Sequence, residues 1–312
     1  MPDVSITGEG VGKSYGTTTA LKGLDFSVNK GEIFGFIGPD GAGKTTLFRI
    51  LTTLLLPGSG RVCVEGYDVV KDYRILRRIL GYMPGKFSLY HDLSVEENLR
   101  FFAGIFGVDV HENYHLVKDI YSQIEPFAKR RAGKLSGGMK QKLALSCALI
   151  HKPVVLVLDE PTTGVDAVSR REFWEMLLRL KSGGITIVVS TPYMDEAMRC
   201  DRVALMQQGS IMTTGTPQEI IAAFPRKIYR IKGSGILDIL RLTRNMKYIR
   251  SAELFGDAVH ISTENTDQAP TAGEISQYLS AQGLSGHTIK EVVAGIEDCF
   301  IDRMKQQPDK HE

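Results

Sequence analysis

The chain has 312 residues, enough for one large domain or two modest ones, and is 43% hydrophobic and 24% charged, as ordinary folded proteins are. Thirty-eight basic against thirty-six acidic residues leave a formal charge of +2, which argues against a chain built to track a nucleic-acid backbone. Cys63, Cys147, Cys200 and Cys299 form no CxxC pair, so neither a zinc site nor a disulfide framework is expected, and a reducing cytosol is. Apolar runs such as 154–158 and 185–189 fall far short of the roughly 18 residues that span a bilayer. The opening MPDVSITGEG has neither the basic start nor the apolar stretch of a secretory signal. Together these predict a soluble intracellular chain whose membrane role is peripheral.

Residues 32–37 read as a strand running into a glycine-rich turn at 38–43, and 45–55 as the helix that follows. Within 86–150 the amphipathic stretches 96–106 and 117–127 read as helices, with no strong β run between them, and so as an inserted helical subdomain. The continuous apolar runs 154–158 and 185–190 have the character of strands covered on both faces of a parallel sheet. Between them 170–181 carries Phe173, Trp174, Met176, Leu177, Leu178 and Leu180 on a broad helical side. A hairpin, 202–206 and 210–213 joined through Gln207-Gln208-Gly209, closes this α/β part. The register changes after Pro225. Strand 227–232, helix 236–244, strands 248–255 and 258–262, helix 273–282 and strand 287–293 follow in the order β-α-β-β-α-β of a ferredoxin-like unit. A last helix over 296–304 ends this second domain, 226–306, and 307–312 reads as a frayed tail. The polar stretch 263–271 reads as an exposed loop, and there is no internal repeat.

Gly38-Pro39-Asp40-Gly41-Ala42-Gly43-Lys44-Thr45 fits GxxxxGK[ST] between a strand and a helix, and these residues with the following Thr46 are expected to bind the nucleotide. Glycines there let backbone N–H groups face a phosphate at the positive end of the helix dipole. Lys44 is expected on the β/γ-phosphates and the Thr45 hydroxyl on Mg2+. Val154-Val155-Leu156-Val157-Leu158 runs into Asp159 and Glu160. Beside a phosphate loop, an acid at the strand end helps hold Mg2+, which fits Asp159, and Glu160 one residue on is placed to polarise a water. Leu135-Ser136-Gly137-Gly138-Met139 offers a hydroxyl, free N–H groups and a helix dipole, a second anion site, although an ordinary helix cap has the same look. One chain needs only one phosphate loop, so a second anion site implies two chains sharing a nucleotide.

In this order, GPDGAGKT, LSGGMKQ and LVLDEPTTGVD resemble the nucleotide-binding subunits of ABC transporters over about residues 4–220. That resemblance implies a P-loop NTPase with a parallel core sheet, an antiparallel β part and the inserted helical subdomain, in a domain spanning 1–225. It implies ATP and Mg2+ as cofactors, and two cassettes sandwiching two ATP molecules. Tyr15 is then the aromatic that stacks on adenine, unless it is simply a surface tyrosine, and Asp166 is an acid at the dimer seam. GYMPGKFSLY, STPYMDEA and GTPQEI resemble the drug-exporter branch, whose members often carry two cassettes in one chain. The C-terminal unit ending in GIEDCFIDRM resembles that branch's regulatory extension, or serves only to stabilise a dimer.

Two positions depart from the family pattern. Where the family has a glutamine contacting Mg2+ and the attacking water, MPGKF places Gly85. Where it has a histidine reaching the γ-phosphate, Ser190-Thr191-Pro192-Tyr193 places Pro192, with no donor and a fixed φ. The seven histidines, His91 and His151 included, fall elsewhere in the motif order and read as surface or structural groups. The resemblance therefore implies the ATP-binding subunit of an exporter of drugs or other hydrophobic compounds, at the cytoplasmic face of the cell membrane. Its partners would be permease subunits, touching residues from Gly85 to about Glu97, and a second cassette; no nucleic acid is expected. A soluble ABC ATPase of DNA repair or translation and a non-hydrolysing nucleotide-dependent scaffold remain the alternatives.

Overall fold

A computed structural model describes residues 3–86 and 88–306. Cα packing divides the chain into Met1–Pro217 and Gln218–Glu312. The division precedes Pro225 because residues 218–225 pack into the second unit: Cys299 Sγ lies 3.7 Å from the carbonyl oxygen of Ile220.

The first unit holds a six-stranded sheet in the order Ser210–Gly215, Arg202–Gln207, Ile33–Ile37, Thr186–Thr191, Val155–Asp159, Leu80–Met83. Its hairpin pair is antiparallel and its other four pairings are parallel. The inner runs are buried along their whole length, as strands covered on both faces must be. Ile37 pairs with both Thr191 and Leu205, and Asp159 with Ser190, so the carboxyl ends of these strands open at one level. A second, antiparallel sheet runs Thr18–Asn29, Val4–Tyr15, Ser59–Val64, Tyr67–Asp68. Phe36 ties the two layers together: its ring meets Phe26 edge-on at 5.3 Å and Phe48 edge-on at 5.8 Å. Burying such a ring stabilises the fold by roughly 2–3 kcal/mol.

The first helix is shorter than its sequence suggests, Lys44–Leu51. Thr53 turns left-handed at φ +61, and the amides of Leu54 and Leu55 fold back on the Arg49 carbonyl. That closes the helix in the manner of a left-handed cap.

Among the described residues between 86 and 150 there are three α-helices and no named strand. Val95–Phe106 starts in a reciprocal Ser94/Glu97 capping box and stops at Gly107, φ +67. The second helix is Val110–Tyr121, displaced from the expected 117–127. Asp109 accepts from the amides of His111 and Glu112 and starts it early, and Pro126 leaves only a short 3-10 turn at Glu125–Phe127. The third, Gly137–Leu149, is capped by Ser136. Asn98, fully buried, donates to the Tyr90, Leu93 and Ser94 carbonyls and accepts from the Tyr90 amide. It thereby fastens the loop ahead of the first of these helices.

The second unit is a four-stranded antiparallel sheet in the order Ile249–Phe255, Ala258–Thr263, Ile228–Lys232, Thr288–Val292. Tyr229, Ile231, Val259 and Ile261 share one core with Ile239 of helix Ile236–Arg244 and with Ile275 and Leu279 of helix Ala272–Ala281. Counted within the unit the strand order is 2-3-1-4, the ferredoxin-like arrangement. Ile296–Gln306 follows as a last helix. The tail residues 307–312 lie outside the described residues.

Candidate nucleotide site

Each glycine of the phosphate loop has its own reason. A Cβ on Gly38 would sit 2.2 Å from the Met206 carbonyl oxygen, so the loop leaves the sheet with no room for a side chain. Gly41 has open space but a φ of +80. Gly43 combines both constraints, with φ +100 and a Cβ that would come 2.6 Å from the Ala20 carbonyl oxygen. Such backbone favours glycine alone. Between them Ala42 is buried, and its amide donates to the Pro39 carbonyl at 3.2 Å. Pro39 and Asp40 are exposed at the tip, and Thr45 and Thr46 are half-buried in the first helical turn.

Lys44 is almost wholly buried. Its Nζ donates to the carbonyls of Gly38 at 2.8 Å and Pro39 at 3.0 Å and pairs with Glu160 Oε1 at 3.2 Å. A buried ammonium needs such partners, and here it bridges the loop and the acids. Asp159 ends its strand, and its Oδ1 accepts from Ser190 Oγ at 2.6 Å. Glu160 takes the left-handed region at φ +48, a conformation costing a non-glycine residue about 1 kcal/mol. Its amide is shared between the Ser190 hydroxyl at 2.9 Å and carbonyl at 3.1 Å. Burial pushes the nearby Tyr82 phenol up to about 12, with the Asp159 charge adding to the effect.

The two departures border different parts of the site. A Cβ on Gly85 would be 3.1 Å from the Asp159 carbonyl oxygen and 3.7 Å from Glu160 Cβ. Pro192 follows Thr191, whose carbonyl accepts from the Gly38 amide at 3.2 Å. The next ring, Tyr193, has the Arg170 guanidinium 4.3 Å from its centroid.

The remaining predicted residues gather elsewhere. Ser136 Oγ accepts from the Met139 amide at 3.4 Å, and Leu135 is buried beneath it. A Cβ on Gly137 would be 3.2 Å from the Gly164 carbonyl oxygen, and one on Gly138 2.6 Å from Ser169 Oγ. Asp166 caps the helix Ala167–Ser182, and the Ser169 amide, then its hydroxyl and the Val168 amide, hold its carboxyl below the usual range. Among the described residues no hydrogen bond or ion pair joins 135–139 to the chain's own phosphate loop. Tyr15 is exposed on a hairpin end opposite Thr18, with Lys13 Nζ 5.9 Å from its ring centroid.

Sequence reasoning missed a buried network behind the acids. Glu196, 1% exposed, accepts from Thr162 Oγ1 at 2.7 Å, Thr191 Oγ1 at 2.6 Å and Arg170 Nε at 3.2 Å. Ser190, fully buried, belongs to the same strand as Thr191. The only signal was hydroxyls closing an otherwise apolar run.

These residues fit a magnesium nucleotide by their own chemistry. The glycine loop leaves backbone where side chains would block an approach, Lys44 supplies a positive charge beneath it, and Asp159 supplies an acid beside it.

The ABC transporter family model matches residues 21–163. The Nod factor export ATP-binding protein I of Rhizobium sp. (strain N33) is 33% identical over 305 residues, covering 96% of this chain and 97% of that protein. This chain belongs to the ATP-binding proteins of ABC transporters. The cassette is also 37% identical to the probable multidrug ABC transporter ATP-binding protein YbhF of Escherichia coli over 97% of its own length, spanning about half, 52%, of that relative. It is 36% identical to the daunorubicin resistance ATP-binding protein DrrA3 of Streptomyces coeruleorubidus, over 95% of the chain and 91% of that relative. The names of these relatives concern multidrug transport, Nod factor export and daunorubicin resistance. Among solved structures it is similar to cbiO1 of Clostridium perfringens, part of the ABC transporter complex cbiONQ, at TM-score 0.63 and 30% identity over 71% of this chain and 92% of that one. It is also similar to the dimeric post-hydrolysis cassette MJ0796 bound to ADP and Pi, at TM-score 0.62 and 25% identity over 68% and 98%. Among the described residues no helix of the cassette is long and apolar enough to cross a membrane.

Proposed function

We propose that this cassette drives an exporter of drugs or other hydrophobic compounds from the cytoplasmic face of the membrane, and that its own ATP site turns over slowly. The observation that carries this reading is the placement of Gly85 directly against Asp159 and Glu160, a position where glycine brings no side chain. The unit ending at Pro217 binds nucleotide, and the unit from Gln218 onward forms a regulatory or dimerising domain. Tyr15 stacks on the base, and the amides and Lys44 grip the phosphates. Thr45 and Asp159 would hold Mg2+, which would offset phosphate charge. Glu160 can still accept a proton from water, but no glutamine shares that water and Pro192 offers no donor. Leu135-Ser136-Gly137-Gly138-Met139 faces the nucleotide of a second cassette, and Asp166 lies at the seam between the two.

A permease docks beside the helical subdomain. A cleft of about 1090 Å³ there is lined by Leu54, Tyr73, Arg77, Leu89, Ile105 and His151, with Leu54 58% and Ile105 60% exposed. Leu89 belongs to the stretch expected to touch the membrane partner. Apolar side chains left open around such a cleft suit a protein partner.

The purified chain is expected to bind Mg-ATP and to hydrolyse it far below the ordinary enzyme rate of about 10 per second. Lys44→Ala should weaken ATP binding on the order of 100-fold, the worth of a charge-assisted phosphate contact. Ordinary turnover by the chain alone would overturn the slow-site reading, and unchanged affinity in Lys44→Ala would overturn the phosphate-loop assignment.

A further inference from the structure

We propose that Ser190 is a positioning residue of the ATP site: its hydroxyl sets the Asp159 carboxylate and the Glu160 turn, and through them the affinity for the nucleotide's divalent cation. The inference rests on the reading of Asp159 as the metal-side acid.

Ser190 stands opposite Asp159 in the parallel register of strands Thr186–Thr191 and Val155–Asp159, and it is fully buried. A buried hydroxyl must find partners, and the partners here are the two acids' own groups. Oγ lies 2.6 Å from Asp159 Oδ1 and 2.9 Å from the Glu160 amide nitrogen. An ionised carboxylate only accepts and an amide only donates. The hydroxyl proton therefore goes to Asp159 and an oxygen lone pair to Glu160.

The first bond is short and charge-assisted, the stronger kind. It occupies Oδ1 and fixes the rotation of the carboxyl group, leaving Oδ2 in a set direction. The second bond anchors Glu160 where its backbone is left-handed, alongside the weaker hold of the Ser190 carbonyl. The next residue separates this role from simple packing. Thr191 is equally buried, but its hydroxyl donates to Glu196 and accepts from the Tyr193 amide, away from the acid pair.

The test uses the full chain with Mn2+ as the probe, free Mn2+ being read by electron paramagnetic resonance in the presence of ATP. Affinity for a fluorescent ATP analogue in EDTA gives the metal-free reference. Ser190→Ala should weaken Mn2+ binding about 10-fold and leave metal-free affinity within about two-fold, as expected for losing one charge-assisted hydrogen bond to the metal ligand. Thr191→Val should lower the melting temperature yet leave Mn2+ affinity in place. Mn2+ affinity unchanged in Ser190→Ala but lost in Asp159→Asn overturns the role of Ser190. Equal weakening in Ser190→Ala and Thr191→Val reduces it to packing and overturns it too. Affinity retained in Asp159→Asn shows instead that the metal reading beneath the inference is wrong.

Discussion

Gly38→Ala and Gly41→Ala separate two reasons for glycine in one loop. At Gly38 the new methyl would lie 2.2 Å from the Met206 carbonyl oxygen and 3.1 Å from its carbon. Contact requires about 3.5 Å, so more than an ångström must be found in the backbone. The opposing strand Arg202–Gln207 is paired on both sides, with Ile33–Ile37 and Ser210–Gly215, and cannot move alone. Overpacking a rigid site costs up to about 3 kcal/mol, or roughly 6–12 °C in a domain of this size. At Gly41 nothing lies within 4 Å, and only the φ of +80 opposes alanine, at about 1 kcal/mol. Differential scanning calorimetry without nucleotide should rank Gly38→Ala well below Gly41→Ala. ATP affinity, measured by calorimetric titration, should fall in both as the loop shifts. A Gly38→Ala protein melting within about 2 °C of wild type would refute the steric argument, since that is less than 1 kcal/mol.

Two other substitutions probe the surroundings of the site. Glu196→Ala removes an acid held by two hydroxyls and Arg170. Because Arg170 is part-exposed and keeps Asp195 at 3.1 Å, a loss near the low end for broken buried pairs is expected, about 3 kcal/mol, read from the urea midpoint. His151 stacks on Phe106 at 3.7 Å, its Nε2 lies 3.0 Å from the Leu80 carbonyl oxygen, and its buried Nδ1 has no hydrogen-bond partner among the described residues. Burial lowers its pKa, so the unfolded chain takes up the proton first, near pH 6.5. Stability should be level above about pH 7 and fall as pH drops through that value. His151→Phe should lose less stability between pH 7.5 and 5.5 than wild type does, and equal losses would refute the assignment.

The inner strands and the phosphate loop were legible because burial on both faces leaves unbroken apolar runs and because a loop that wraps phosphate must spend glycines at fixed spacing. The long strands Val4–Tyr15 and Thr18–Asn29 were not. Their pairing is interrupted by register shifts near Gly8, Val11 and Gly12, which break the alternation of apolar and polar residues. The helix Val110–Tyr121 was misplaced because apolar periodicity outweighed the Asp109 cap. The Ser190 and Glu196 networks were invisible for another reason. Ser190 reaches Asp159 across 31 residues through the sheet's register, and Glu196 reaches Thr162 across 34 residues through the tertiary fold.

On the proposed reading, the cassette's own site is degenerate while its signature side completes a competent site on a second cassette. Turnover by the assembled complex in membranes, comparing Ser136→Ala with Glu160→Gln, separates the two sites. Ser136→Ala should reduce ATP hydrolysis strongly and Glu160→Gln only weakly, because the two residues serve different nucleotides. Loss of turnover in Glu160→Gln, or an active complex containing this cassette alone, would contradict the claim and make Glu160 a working catalyst despite Gly85 and Pro192.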